Sequence, residues 1–305
     1  MDKWNLGVKA LEKVNPDLIY SSISGYGQTG PYASRPGFAS ACEAMGGFRY
    51  VNGFPDRPSV RPNLSMGDTL AGFNAALGTI LALYARDGGR AASKNGIRGQ
   101  VVDTAIYEAV FNIMEGAICD YSGAGLVREP SGSTITGIVP SNTYKTKDGK
   151  GIVIGANSNQ LFKRLMVKIG REDMANDPKY ADNQGRVKHQ IYIDSVIEQW
   201  TQTLDADTVK RHVDECQVPN GLIYSIKDIA EDPQYKARGQ LEEVDIPHLK
   251  NKLLIPAIGP KLTKTPGETR FPGRKIGEDT DAVLKQMLNL SADELGKLRA
   301  EKIIG

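Results

Sequence analysis

Residues 65–86 read SMGDTLAGFNAALGTILALYAR, and this stretch decides the fold. From Asp68 to Arg86 it is apolar nearly all round, so it predicts a long helix buried on every side. Its small residues, Ala71, Gly72, Ala75, Ala76 and Gly78, would let neighbouring elements approach closely. Working outward, Leu18–Ile23 (LIYSSI) is a short apolar, β-prone run and predicts a buried strand. A glycine-rich turn, Gly25–Pro31, follows it, and residues 38–48 are rich enough in Ala and Gly for a helix. Pro55, Pro58 and Pro62 mark an irregular stretch before the long helix. Beyond it come a polar Gly-rich loop (87–99), a strand (Gln100–Asp103) and a helix over about 104–119. The fold class expected from this order is α/β.

The chain has 305 residues, which at roughly 100–200 residues per domain suggests two domains. Forty per cent of residues are hydrophobic, ordinary for a chain with a substantial core. A net charge of +2 gives no reason to expect a nucleic-acid or anionic-membrane partner. No run of about 18 apolar residues is evident, so no membrane span is expected. Cys42, Cys119 and Cys216 are odd in number and widely spaced, which reads as buried thiols of a reducing compartment, with neither a disulfide frame nor a zinc site. The first residues, MDKWNLGVKALEKVNPD, read as an amphipathic helix entering a turn at Asn15-Pro16. They resemble no targeting signal, and a cytoplasmic or mitochondrial-matrix home both fit.

The later chain reads differently. Residues 124–142, rich in Gly, Ser and Pro, suggest a domain boundary. Tyr144–Asp148 and Gly151–Gly155 predict two strands around a Lys147-Asp148-Gly149 turn. Helices are expected near 160–170, 190–203 and 207–215, with Trp200 sharing a face with Ile193, Val196 and Ile197. Val218–Gly221 closes this block. Four prolines (256, 260, 266, 272) punctuate a loop-rich return, and Ser291-Ala-Asp-Glu294 is a capping box for a last helix.

Asp68 is the leading chemical candidate. At the start of a helix its carboxylate would meet exposed N–H groups and the positive end of the dipole, which hold it ionised. An ionised carboxylate in a dry pocket can attack an activated acyl carbon. By position alone, an aspartate there also reads as a plain N-cap. Gly25-Tyr26-Gly27-Gln28-Thr29-Gly30 matches G-x-G-x-x-G, half of a dinucleotide fingerprint. The other half fails, because Pro36 would break the helix that should follow. A tight turn, or a loop whose backbone approaches some other ligand, fits better. Arg57 and Arg61 could bind a carboxylate or phosphate, or be solvated loop residues. The three histidines, His189, His212 and His248, form no nucleophile motif, and Asp103 and Glu108 read as surface or capping groups.

Taken in order, the segments 15–38, 65–86, 98–110 and 144–165, with VPNG (218–221), EDPQYKARGQ (231–240) and KLTKTPGE (261–268), resemble the class III CoA-transferases, the CaiB/BaiF group. That resemblance implies a Rossmann-like large domain of discontinuous sequence, residues 1–125 completed by 225–305, and a small α+β domain over 140–224. It implies an interlocked homodimer, and an N-terminal segment ahead of the position where Met1 falls. It implies Asp68 as nucleophile, passing through an aspartyl anhydride and an aspartyl-CoA thioester. The substrates would be an acyl-CoA and a small carboxylic acid, with no permanently bound cofactor and no metal; Arg57 and Arg61 hint at a dicarboxylate. The Gly25–Tyr26–Gly27–Gln28 turn and the segment with Gly155, Asn157 and Gln160 match parts that line the family's active site. Their N–H groups are candidates for holding an oxyanion. The superfamily's acyl-CoA racemases use a histidine where this chain has Phe38 and a glutamate where it has Ser158, which weighs against that alternative. A non-catalytic remnant that still dimerises is the other.

Overall fold

The computed structural model describes residues 1–88, 98–246 and 249–305. They form two units, Met1–Leu222 and Ile223–Gly305. The first unit opens with a 3-10 turn (Asp2–Trp4) and helix α1 (Val8–Val14), so the expected N-terminal helix is split at Asn5, which adopts a left-handed φ of 55°. Strand β1 (Ile19–Ser24) pairs in parallel with β2 (Gln100–Ala105), with Ile19 opposite Gln100 and Ser24 opposite Ala105. Between them in sequence lie α2 (Ala39–Met45), the short α3 (Phe48–Val51) and the long α4 (Met66–Asp87). Helices α5 (Ile106–Phe111) and α6 (Ala117–Ala124) follow β2. One helix was expected over 104–119. It breaks instead at residues 112–116, where Glu115 takes a left-handed φ of 52°. Most of the expected Gly-rich loop at 87–99 lies outside the described residues.

Helix α4 is not buried on every side as expected. It packs on both strands and on α2 and α5 through Ala71, Ala75 and Ala82, a stripe at spacings of four and seven. Gly78 belongs to the same face: a Cβ there would sit 2.7 Å from Val102 Cγ1. Phe73, Leu77, Ile80, Leu81 and Tyr84, by contrast, are exposed. The small side chains make the packed face because they let the helix axis come close to the sheet. Strand β1 is likewise half-buried, with Ile23 exposed. Contrary to the expectation of no membrane-length apolar segment, α4 is long and apolar enough to cross a membrane by length and composition alone.

Helices α2 and α5 meet just as closely. A Cβ on Gly46 would lie 2.6 Å from Val110 Cγ1 and 2.8 Å from the Tyr107 carbonyl oxygen. Because backbone cannot yield as a side-chain tip can, Gly46→Ala should cost about 1–3 kcal/mol. A denaturant midpoint lowered with unchanged slope would show it; an unchanged midpoint would mean the two helices do not pack this closely.

The second half of this unit has its own core. Strands β3 (Ser141–Lys145), β4 (Gly151–Gly155) and β5 (Asn220–Leu222) form an antiparallel sheet in that order. Helices α7 (Asn159–Lys168), α8 (Glu172–Asn176), α9 (Asn183–Lys188), α10 (Gln190–Thr201) and α11 (Ala206–Glu215) accompany it. Ile152 and Ile154 pack with Phe162, Leu165, Ile193 and Ile197, and Trp200 joins their margin as its helical spacing predicts. Gly149 supplies the left-handed residue of the β3–β4 turn, φ 77°. In the second unit α12 (Ile226–Glu231) and α13 (Pro233–Ala237) precede an antiparallel hairpin, β6 (Leu241–Val244) and β7 (Leu253–Pro256). Helices α14 (Thr280–Leu288) and α15 (Ala292–Ala300) end the chain, the latter opened by the expected Ser291/Glu294 capping box.

Candidate functional site

Asp68 is the third residue of α4. Ser65 holds the N-cap position, so Asp68 is not the cap, and its carboxylate is solvent-exposed in the first turn. There it lies at the positive end of a 22-residue helix. The turn beneath it is fixed from α2. Glu43, fully buried, accepts a hydrogen bond from the Gly67 N–H through Oε1 at 3.1 Å. Its other oxygen, Oε2, lies 3.2 Å from Arg61 Nε. Gly67 is tightly enclosed: a Cβ would fall 3.0 Å from Ile106 Cγ2 and 3.3 Å from Glu43 Cγ.

The glycine turn comes to the same place. Cys42, the neighbour of Glu43, is fully buried and donates its thiol to the Gly25 carbonyl at 3.3 Å. Burial first, and the Asp68 carboxylate second, push this thiol's pKa up, so it stays protonated and is a poor nucleophile. Gly25 stacks backbone to backbone on Gly37, where a Cβ would meet the Gly37 Cα at 2.8 Å. Tyr26 packs beside Cys42, Leu70, Ala71 and Tyr107. Thus one small cluster joins the turn to the first coils of α4.

Two of the turn's own N–H groups are engaged. Gly27, at φ 87°, donates to Ser24 Oγ at 2.9 Å, and Gln28 N–H donates to Asp103 Oδ2 at 3.0 Å. Asp103 therefore ties the turn to β2; it is no free surface group. Of the two arginines, Arg61 serves Glu43, while Arg57 is exposed, lying over the Phe54 ring at 4.9 Å and 3.7 Å from Asp56. Gly155 ends β4, Asn157 lies in the loop after it and Gln160 is the second residue of α7, all outside the cluster that joins the glycine turn to α4. Gly155 N–H donates to the Pro219 carbonyl, and the Asn157 carbonyl accepts from Arg186. The Asn157 and Gln160 side chains are exposed. Ser158, in the position where the racemases carry a glutamate, caps α7 by accepting the Leu161 N–H, and Phe38 is exposed. His189 meets the Tyr180 ring edge-on and His212 lies tilted beside Trp200; His248 lies outside the described residues.

Glu43 and Asp103 escaped sequence reasoning as site residues. Glu43 is the one carboxylate in the Ala- and Gly-rich run 39–47, and Asp103 is an aspartate inside a strand, where aspartate is disfavoured. Both were signals.

The sequence model of CoA-transferase family III matches residues 1–280. Succinyl-CoA–D-citramalate CoA-transferase of Chloroflexus aurantiacus is 40% identical over 304 residues, spanning 100% of this chain and 74% of that protein. Succinate–glutarate CoA-transferase of Agrobacterium fabrum is 29% identical over 287 residues, 93% of this chain and 69% of that protein. The crystal structure of a CaiB/BaiF family protein from Brucella suis superposes with a TM-score of 0.78 at 26% identity, covering 93% of this chain and 72% of that one.

Proposed function

This chain belongs to CoA-transferase family III and is a CoA-transferase; from that premise we propose that it moves CoA between carboxylic acids with Asp68 as the nucleophile. The observation that carries the reading is an exposed carboxylate in the first turn of α4, with that turn tied to α2 and set beside the Gly25–Gln28 turn.

The steps balance without any proton gained or lost. An Asp68 oxygen attacks the thioester carbon of the donor, the C–S bond breaks, and CoA leaves as thiolate. The product is a mixed anhydride between Asp68 and the donor acyl group. The thiolate then attacks the Asp68 carbonyl carbon, which expels the donor carboxylate and leaves an aspartyl-CoA thioester. The acceptor carboxylate attacks that thioester, releasing thiolate and forming a second anhydride. Thiolate attack on the acceptor's carbonyl carbon gives the new acyl-CoA and restores the Asp68 carboxylate. Each step exchanges one activated acyl bond for another, so the thioester's free energy is retained.

The substrates we propose are a succinyl-CoA-type donor and a dicarboxylic acceptor. The names of the relatives support this, since they act on succinate, citramalate and glutarate. The exposed Arg57 guanidinium is the group suited to a distal carboxylate. Gln28, Asn157 and Gln160 present exposed side-chain amides as further polar contacts, and a homodimer is part of the same reading, supported by the uncovered apolar face of α4.

Incubation with succinyl-CoA followed by hydroxylamine or borohydride, then peptide mass spectrometry, tests the nucleophile. The expected result is a modified peptide with the change on Asp68. CoA exchange that proceeds with Asp68 unmodified would overturn the assignment.

A further inference from the structure

Helix α2 touches both parts of the candidate site through two consecutive side chains. Cys42 Sγ donates to the carbonyl of Gly25 in the glycine turn, and Glu43 Oε1 accepts the N–H of Gly67, the residue before Asp68. Both side chains are fully buried. We propose that Cys42 and Glu43 are positioning residues for CoA transfer, setting the distance between the nucleophile and the Gly25–Gln28 turn, with Arg61 as the counter-charge that keeps Glu43 in place.

Three observations converge on this. First, the Gly67 N–H is one of the orphan donors of the α4 N-terminus, and a buried side chain from another helix satisfies it. The tie is a charge-assisted hydrogen bond, stronger than a neutral one. Second, a buried carboxylate needs compensation, and Arg61 supplies it from the loop immediately before α4. The ion pair therefore anchors the chain on the N-terminal side of Asp68 as the Gly67 bond anchors it at the adjoining residue. Third, the contact surfaces leave no slack. Gly67 is enclosed by Ile106, Glu43 and Ala39, and a Cβ on Gly37 would fall 2.9 Å from the Tyr26 ring and 3.2 Å from Cys42 Sγ. Movement of α2 by a fraction of an ångström must then move the turn, the first coil of α4, or both. Attack on a thioester demands near-contact alignment, and misplacement of about 1 Å costs on the order of a hundredfold in rate.

The inference rests on Asp68 being the nucleophile, and the experiment separates the two. Glu43→Ala, Glu43→Gln and Cys42→Val are compared with wild type for kcat and KM with succinyl-CoA and succinate. The rate of Asp68 adduct formation is measured too, each value normalised to folded protein by circular dichroism. Glu43→Ala should lower kcat and the adduct rate by roughly ten- to a hundredfold while KM for the CoA thioester changes little. Glu43→Gln keeps an acceptor for Gly67 N–H and should recover most of the loss; Cys42→Val should fall between. A role confined to stability would reduce the folded fraction and leave the rate per folded molecule unchanged, and that result overturns the inference. If Glu43→Ala does not fold, Cys42→Val decides the matter, and a wild-type rate in that variant overturns the inference equally. Absence of an Asp68 adduct in wild type during turnover overturns the nucleophile assignment and this inference together. An adduct that forms at the wild-type rate in folded Glu43→Ala overturns this inference alone.

Discussion

Asp68→Asn should abolish CoA exchange, lowering kcat by roughly three or more orders of magnitude, with little change in the folded structure. The amide has the carboxylate's shape but cannot form an anhydride, so the covalent route closes instead of slowing. Stability should barely respond. Asp68 is exposed, and Glu43, not Asp68, holds the Gly67 N–H. The main loss is the favourable placement of a negative charge in the first turn of α4, about 0.3–1 kcal/mol. Activity assays with succinyl-CoA beside a thermal melt give the check. A variant that melts like wild type and exchanges CoA at a tenth of its rate or more would place the nucleophile elsewhere. Cys42 would not be the replacement, because burial holds its thiol protonated.

How much of this was legible before folding depends on the range of the interaction. Helix α4 was written in composition, and the Ser291/Glu294 box in a local pattern. Which face of α4 would be buried was not, because the packed stripe is Ala71, Ala75, Gly78 and Ala82 while the large apolar residues stay exposed. Hydrophobicity ranks side chains by what they gain from burial, but close helix–sheet approach selects small ones. Strand β5 spans three residues, too short for any period to register, and α12 and α13 are single turns or little more. Asp68 stood out because its neighbours in sequence set its chemistry. Glu43 and Asp103 did not, since their partners Gly67 and Gln28 lie 24 and 75 positions away. The resemblance to known transferases supplied a role for Asp68, but it could not supply the ties beneath it, which are visible only as distances.

Arg186→Met should be the most damaging single change to stability away from Asp68. Arg186 is fully buried, and its guanidinium makes four hydrogen bonds, none to a carboxylate. Nε donates to the Val139 carbonyl at 2.9 Å and one terminal nitrogen to the Tyr180 carbonyl at 3.1 Å and Asn159 Oδ1 at 3.0 Å. The other terminal nitrogen donates to the Asn157 carbonyl at 2.7 Å, and the group lies over the Phe162 ring at 5.2 Å. Burial lowers its pKa, yet a guanidinium remains charged at neutral pH, so the carbonyl dipoles, the ring and the nearby Asp182 carboxylate carry the compensation. Methionine fills similar volume but donates nothing. The Val139 and Tyr180 carbonyls would be left unpaired in the interior, each at about 1–3 kcal/mol, while the acceptors on the exposed Asn157 and Asn159 can turn to water, and the loss is offset in part because a buried charge disappears. A net loss of about 3–5 kcal/mol is expected, a large share of a typical domain's total stability. Arg186→Lys should retain part of it, because an ammonium has three donors but cannot span the same fork. The functional consequence follows from where the bonds end. Two of them hold Asn157 and Asn159, so the segment that presents the Asn157 and Gln160 side chains should loosen even in the lysine variant. Urea titration ranks the three proteins, and proteolysis near residue 157 reports the local effect. A methionine variant with a wild-type midpoint would mean that these four hydrogen bonds are not what holds this core together.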